Sequence, residues 1–275
     1  IPKPKINFKH KLVRKVFILM IPAIFAGGIT QINILVDTIY ASLLSSGSAT
    51  WLYVSDRLIQ FPLGIFAIAI GTVLLPTLSK LDISKDLNTF YKTIQNSINL
   101  VLLIAIPSLI ALIVCANDFI MTLFYRGEFK IFDVLMASKS LVLLSAGIPF
   151  FMLMKILIPI FFSQEDTATP MKIAGISLVM NIFLNYFFAI KLGYGHVGLA
   201  LSSTITAVIS VFLAFYLLNK RMLLPRINFL NPFYFSLIIS SFILAIFLIY
   251  FSKIIDFESL NQFKRFAFVI IEIFI

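Results

Sequence analysis

The stretch WLYVSDRLIQFPLGIFAIAIGTVLLPTLSK, Trp51–Lys80, sets the terms for the whole chain. From Leu58 to Ser79 no residue is charged. About 20 such residues in a helix cross a hydrocarbon core of roughly 30 Å. Immediately before that run, Asp56 and Arg57 stand side by side among Trp, Leu, Tyr, Val and Ile. A charge near a bilayer centre costs at least ~2.5–3.5 kcal/mol on insertion scales. A membrane helix that carries two charges needs a polar environment for them.

The same apolar run recurs along the chain: Val16–Val36, Thr93–Asn117, Ile173–Ile190, Leu192–Asn219, Ile227–Ser252, and Ser140–Gln164 interrupted only by Lys155. Composition agrees. Of 275 residues 60% are hydrophobic and 12% charged, and the mean hydropathy is +1.04. A soluble domain carries about 25% charged residues. The fold class expected is therefore all-α, a polytopic bundle of transmembrane helices. Eight helices are expected, over about 12–46, 50–79, 90–116, 132–163, 170–190, 195–219 and 232–252, with the last starting near 264. The absence of an initial Met and the short final run point to the later part of a longer protein.

Charge sets the orientation. If the first block, IPKPKINFKHKLVRK, is a cytoplasmic loop, the inside set is Lys3, Lys5, Lys9, Lys11, Arg14, Lys15, Lys80, Lys85, Lys92, Lys172, Lys220, Arg221 and Arg226. The outside set is Arg126, Lys130, Lys191, Lys253, Lys264 and Arg265. Thirteen against six places the first loop inside by the positive-inside rule. The same distribution assigns the net charge of +10 to helix ends and anionic lipid rather than to nucleic acid. One cysteine, Cys115, rules out a disulfide framework and a cysteine metal site within this chain.

Within the spans the ionisable residues are Asp37, Asp56, Arg57, Lys139 and Lys155. Neighbours on a helix point about 100° apart, so Asp56 and Arg57 do not face each other. Gln60, four residues after Asp56 and three after Arg57, shares their side, and Thr50 and Tyr53 extend a polar stripe. A carboxylate on another helix, or an interfacial place near a helix start, would also account for Arg57. Asp37, followed by Thr38, suits either a cavity or a helix end. Lys139 suits either a cavity or snorkelling from its helix start, and the deeper Lys155 is expected to face polar surroundings. Prolines and glycines inside the runs (Pro22, Gly27, Gly28, Pro62, Gly64, Gly71, Pro107, Gly147, Pro149, Pro159) mark candidate kinks.

Enzyme signatures are missing. GYGHVG (193–198) has dinucleotide-binding spacing but lies between spans with no strand before it. There is no phosphate-binding glycine loop followed by Lys and Ser or Thr, and no paired-aspartate diphosphate motif. The two histidines, His10 and His196, sit near span ends. SQED (163–166) reads as a solvated helix cap. No catalysis, cofactor or metal is expected.

Four segments carry a family resemblance: residues 31–80, QINILVDTIYASLLSSGSATWLYVSDRLIQFPLGIFAIAIGTVLLPTLSK; LFYRGEF (123–129); KILIPIFFSQEDTATPMKIA (155–174); and GHVGLALSSTI (195–205). They resemble the MurJ (MviN) family, the bacterial lipid II flippases, over nearly the whole chain, weakening after about residue 226. The resemblance implies a MATE-like fold of the MOP superfamily, with two six-helix lobes followed by a terminal pair. This chain would then comprise a cytoplasmic basic loop (1–15), the second lobe (16–219) and a truncated start of the terminal pair (220–275). The implied partners are lipid II, membrane lipids and an N-terminal lobe of the same protein. The implied location is the bacterial inner membrane.

Carried over by position, the resemblance makes Arg57 the cavity arginine and Asp56 its neighbour in the family's Asp-Arg pair. It adds Lys155, which matches a family lysine, and Thr50, where others have Ser. Gln60 stands where many members have Glu. Asp37 completes the candidate substrate-binding set. The rival readings are another exporter of the superfamily (an oligosaccharide-lipid flippase or a drug/cation antiporter) and a membrane enzyme acting on polyprenyl phosphates.

Overall fold

A computed structural model describes residues 11–225, 231–254 and 262–274. Most of the basic first loop, Arg226 and much of the connection before residue 262 lie outside them. Every regular element among the described residues is helical: α1 (Lys11–Ser42), α2 (Ser48–Pro62), α3 (Ile68–Ser79), α4 (Ile83–Val114), α5 (Ala116–Phe124), α6 (Ile131–Ser145), α7 (Ile148–Ser163), α8 (Ala168–Asn185), α9 (Gly195–Lys220), α10 (Pro232–Ile254) and α11 (Gln262–Phe274). Six stretches are long and apolar enough to span a membrane, and the bent pair α6–α7 makes a seventh. Large apolar side chains are exposed on α1, α8 and α10, such as Phe25, Leu35, Val179, Phe183, Phe242 and Ile246. In water such a surface would aggregate; in a bilayer it meets acyl chains.

Prolines set the breaks. Pro149 lacks the N–H that would bond to the Ser145 carbonyl, and the span expected as one helix over 132–163 bends by 44° there. Between α2 and α3 the chain stays helical but widens to a π-turn at Leu63–Ala67, directly after Pro62. A second difference from the sequence expectation is α5. The continuous run ending near 116 stops at Cys115 (φ −97°, ψ 24°), and a separate short helix follows. The side chain of Asp118 in its first turn is buried and accepts a hydrogen bond from Ser252 of α10 at 2.9 Å. Burial pushes this carboxyl's pKa up, and the Ser252 bond partly offsets that. Local pattern could not reveal α5, because its buried face is defined by distant helices.

The core is centred on α7, whose Met152, Ile156, Leu157, Ile160 and Phe161 are fully enclosed. Helices α3, α4 and α9 pack around it, α6 packs on α9, and α1 rests mainly on α8. At the end of α7, SQED does form a cap. Asp166 Oδ1 accepts the Thr169 N–H at 2.9 Å at the start of α8. Its other oxygen lies 2.5 Å from Arg221 Nη1 of α9. Burial raises the Asp166 pKa, but the bonds from Thr169 and Arg221 outweigh it and hold this carboxyl below the usual range.

One contact fixes how closely α3 meets α7. Pro159 cannot donate to the Lys155 carbonyl, which therefore loses its i+4 partner. That oxygen points at Gly71, where a Cβ would lie only 2.8 Å away. At Gly28 a Cβ would meet nothing within 4 Å. Gly71→Ala is expected to force α3 off α7 and cost about 1–3 kcal/mol, while Gly28→Ala costs nothing measurable. Thermal unfolding of the two variants in detergent, with membrane abundance by immunoblot, checks the contrast.

Candidate functional site

Helix α2 has two faces with different tasks. Trp51, Val54, Ser55, Ile59 and Pro62 are buried, chiefly against α6. The Trp51 indole donates to Asp133 Oδ1 at 2.8 Å, and Asp133 Oδ2 accepts the Lys130 N–H at 2.8 Å. The Ser55 hydroxyl lies 2.7 Å from the Ala137 carbonyl of α6 and 2.8 Å from its own Trp51 carbonyl. His196 of α9 packs edge-on against the Trp51 ring at 4.8 Å. At the preceding turn Gly47 has φ 97°, and a Cβ there would meet the indole at 2.6 Å. These ties fix the rotation of α2 about its axis.

That rotation turns Thr50, Tyr53, Asp56, Arg57 and Gln60 into a cavity of about 560 Å³. Asp37, Thr38, Ile34 and Ala41 of α1 line the cavity, with Leu144 of α6 and Leu199 and Ser203 of α9. Five of the six candidate site residues therefore share one cavity. Lys155 lies outside its lining, exposed on α7. Lys139 is also exposed, well inside α6 rather than at its start.

Arg57 makes no ion pair with another helix among the described residues. Its Nη1 donates to Gln60 Oε1 at 3.3 Å, and its guanidinium carbon lies 4.6 Å from the centre of the Tyr53 ring. Gln60 Nε2 in turn donates to Asp56 Oδ2. The neighbouring charges are thus linked through Gln60 and not directly. Asp37 sits inside α1 rather than at its end, and it accepts from Asn185 Nδ2 of α8 at 2.7 Å. The same amide donates to Asn181 Oδ1 at 2.8 Å, and both asparagines are fully buried. Sequence reasoning missed this pair. Its signal was the i, i+4 spacing in NIFLN, two amides on one face of an otherwise apolar helix.

Chemically, the cavity offers one guanidinium, two carboxylates and several hydroxyls. A guanidinium keeps its charge at any physiological pH and can grip a phosphoryl group with paired N–H donors. No group of three or more potential metal ligands occurs among the described residues.

Residues 1–268 match the family model described as "Lipid II flippase MurJ". A Vibrio cholerae protein named "Probable lipid II flippase MurJ" is 44% identical over 213 residues, covering 78% of this chain and 40% of that protein. Its namesake from Haemophilus influenzae is 40% identical over 224 residues, covering 79% and 43%. A solved structure, "Lipid II flippase MurJ, inward closed conformation", superposes with a TM-score of 0.73 at 27% identity, covering 99% of this chain and 54% of that one. An outward-facing MATE transporter of the MOP superfamily gives a TM-score of 0.66 at 20% identity over 75% of this chain and 45% of that one, a likeness of fold alone. The chain spans less than half the length of these curated relatives. With nearly all of its residues matched to one family model, it is a multi-pass membrane protein that belongs to the lipid II flippase MurJ family.

Proposed function

We propose that this chain serves the translocation of lipid II, the undecaprenyl-pyrophosphate-linked peptidoglycan precursor, across the bacterial inner membrane. In this reading residues 16–219 form one lobe of the transporter and 220–275 begin its terminal helix pair. The observation that carries the proposal is Arg57, held at the cavity by Tyr53 and Gln60 with no ion pair to another helix among the described residues. A guanidinium left in that state suits a ligand that brings its own negative charge and then leaves. Alternating access moves the cavity from one side to the other. No covalent step is needed, so the protein acts as a transporter and not as an enzyme.

Arg57→Ala is expected to abolish growth of a flippase-depleted bacterium while the protein stays in the membrane at normal levels. Arg57→Lys keeps the charge but loses the planar fork, and it should support growth partly. Immunoblot and complementation together check this. A growth-supporting Arg57→Ala protein would remove the residue from substrate binding.

Orientation is tested separately. A cysteine at Ser46, between α1 and α2, is expected to react with an impermeant thiol reagent in intact cells. One at Lys85 should react only after the cells are opened. The native Cys115 is buried and leaves the background low. The reverse pattern would invert the topology derived from charge.

A further inference from the structure

We infer that Gln60 is a positioning residue, an amide relay that joins Asp56 to Arg57 and leaves the guanidinium free to receive a pyrophosphate. The inference rests on the cavity being a pyrophosphate site. Asp56 and Arg57 are neighbours in sequence and so point in different directions from the helix. Gln60 stands one turn on from both, where a single side chain can reach each.

Chemistry limits which groups can bridge the pair by hydrogen bonds at both ends. An ionised carboxylate only accepts hydrogen bonds and a guanidinium only donates them. A side chain between them must donate on one side and accept on the other, as a primary amide does. The partners also fix which way the amide points: Nε2 toward Asp56 and Oε1 toward Arg57. Asn is one methylene shorter, and an ionised Glu has no proton to give Asp56.

The relay has two consequences for Arg57. Its guanidinium is held on one face by the Tyr53 ring and at Nη1 by Gln60, so it waits in a defined place. It is nevertheless bound by a neutral oxygen rather than by a carboxylate, and a charged partner would be about twice as strong a competitor. The titratable and charged groups lining the cavity are Asp37 from α1 and Tyr53, Asp56 and Arg57 from α2; α6 and α9 add only Leu144, Leu199 and Ser203. Arg57 is thus the one cation among the lining residues, against two carboxylates. A carboxylate at position 60 would add a third and pair with Arg57 directly.

The test is binding of farnesyl pyrophosphate, with farnesyl monophosphate for comparison, to the full-length protein in nanodiscs at about pH 7.5. Wild-type protein should prefer the pyrophosphate; absence of that preference overturns the site reading and the relay with it. Given the preference, Gln60→Glu should bind the pyrophosphate about tenfold more weakly than wild type and lose less toward the monophosphate, because the added carboxylate opposes the more highly charged ligand more. Gln60→Met fills the same space without polar ends and should lose affinity for the pyrophosphate severalfold. Equal fractional losses for both ligands in both variants would mean that Gln60 only packs. Wild-type affinity in Gln60→Glu would equally overturn the relay.

Discussion

A guanidinium inside a membrane helix is tolerable only if something polar meets it, and around Arg57 the helices are arranged so that this is a cavity. On insertion scales the cost of such a charge at the bilayer centre is at least ~2.5–3.5 kcal/mol, too large to leave to chance contacts. Helix α2 meets the requirement by dividing its surface. One side is tied to α6 by the Trp51 indole and the Ser55 hydroxyl, and the other carries the polar stripe into the space between α1 and α9. Because successive residues turn by about 100°, fixing the buried side determines where Arg57 points. The clamp near the start of α2 and the cavity partway along it are therefore parts of one device.

The backbone shows the same economy. Each proline within a span frees a carbonyl, and in a bilayer a freed carbonyl needs either a close neighbour or a cavity. At Pro159 the freed Lys155 oxygen meets Gly71, which draws α3 onto α7. At Pro149 the span bends between α6 and α7. After Pro62 the helix widens to a π-turn just past the polar stripe, a form that recurs at functional sites. The π-turn after Pro62 and the bend at Pro149 fall in or beside α2 and α6, two of the helices that line the cavity.

Much of this was legible in the sequence. The spans follow from uncharged runs, since hydrocarbon thickness imposes one length on every crossing helix. The stripe from Thr50 to Gln60 follows from helical spacing alone, and its placement at one cavity confirms the geometry. What periodicity could not supply was pairing across the bundle. Asp37 had two possible settings until Asn185 and Asn181 of α8 were seen to hold it. Lys155 read as deep within its run, yet its place on α7 keeps it off the cavity lining. Helix α5 escaped detection because its buried Asp118 is explained only by Ser252, far along the chain.

The central proposal is that Arg57 receives an arriving anion rather than a fixed carboxylate partner. The direct measurement is the reactivity of a cysteine at Ser203, on the wall contributed by α9, toward a small hydrophilic thiol reagent in the membrane-embedded protein. The account predicts ready modification, slowed by farnesyl pyrophosphate but not by farnesol. Modification only by a lipid-soluble reagent, or a rate indifferent to the pyrophosphate, would contradict it.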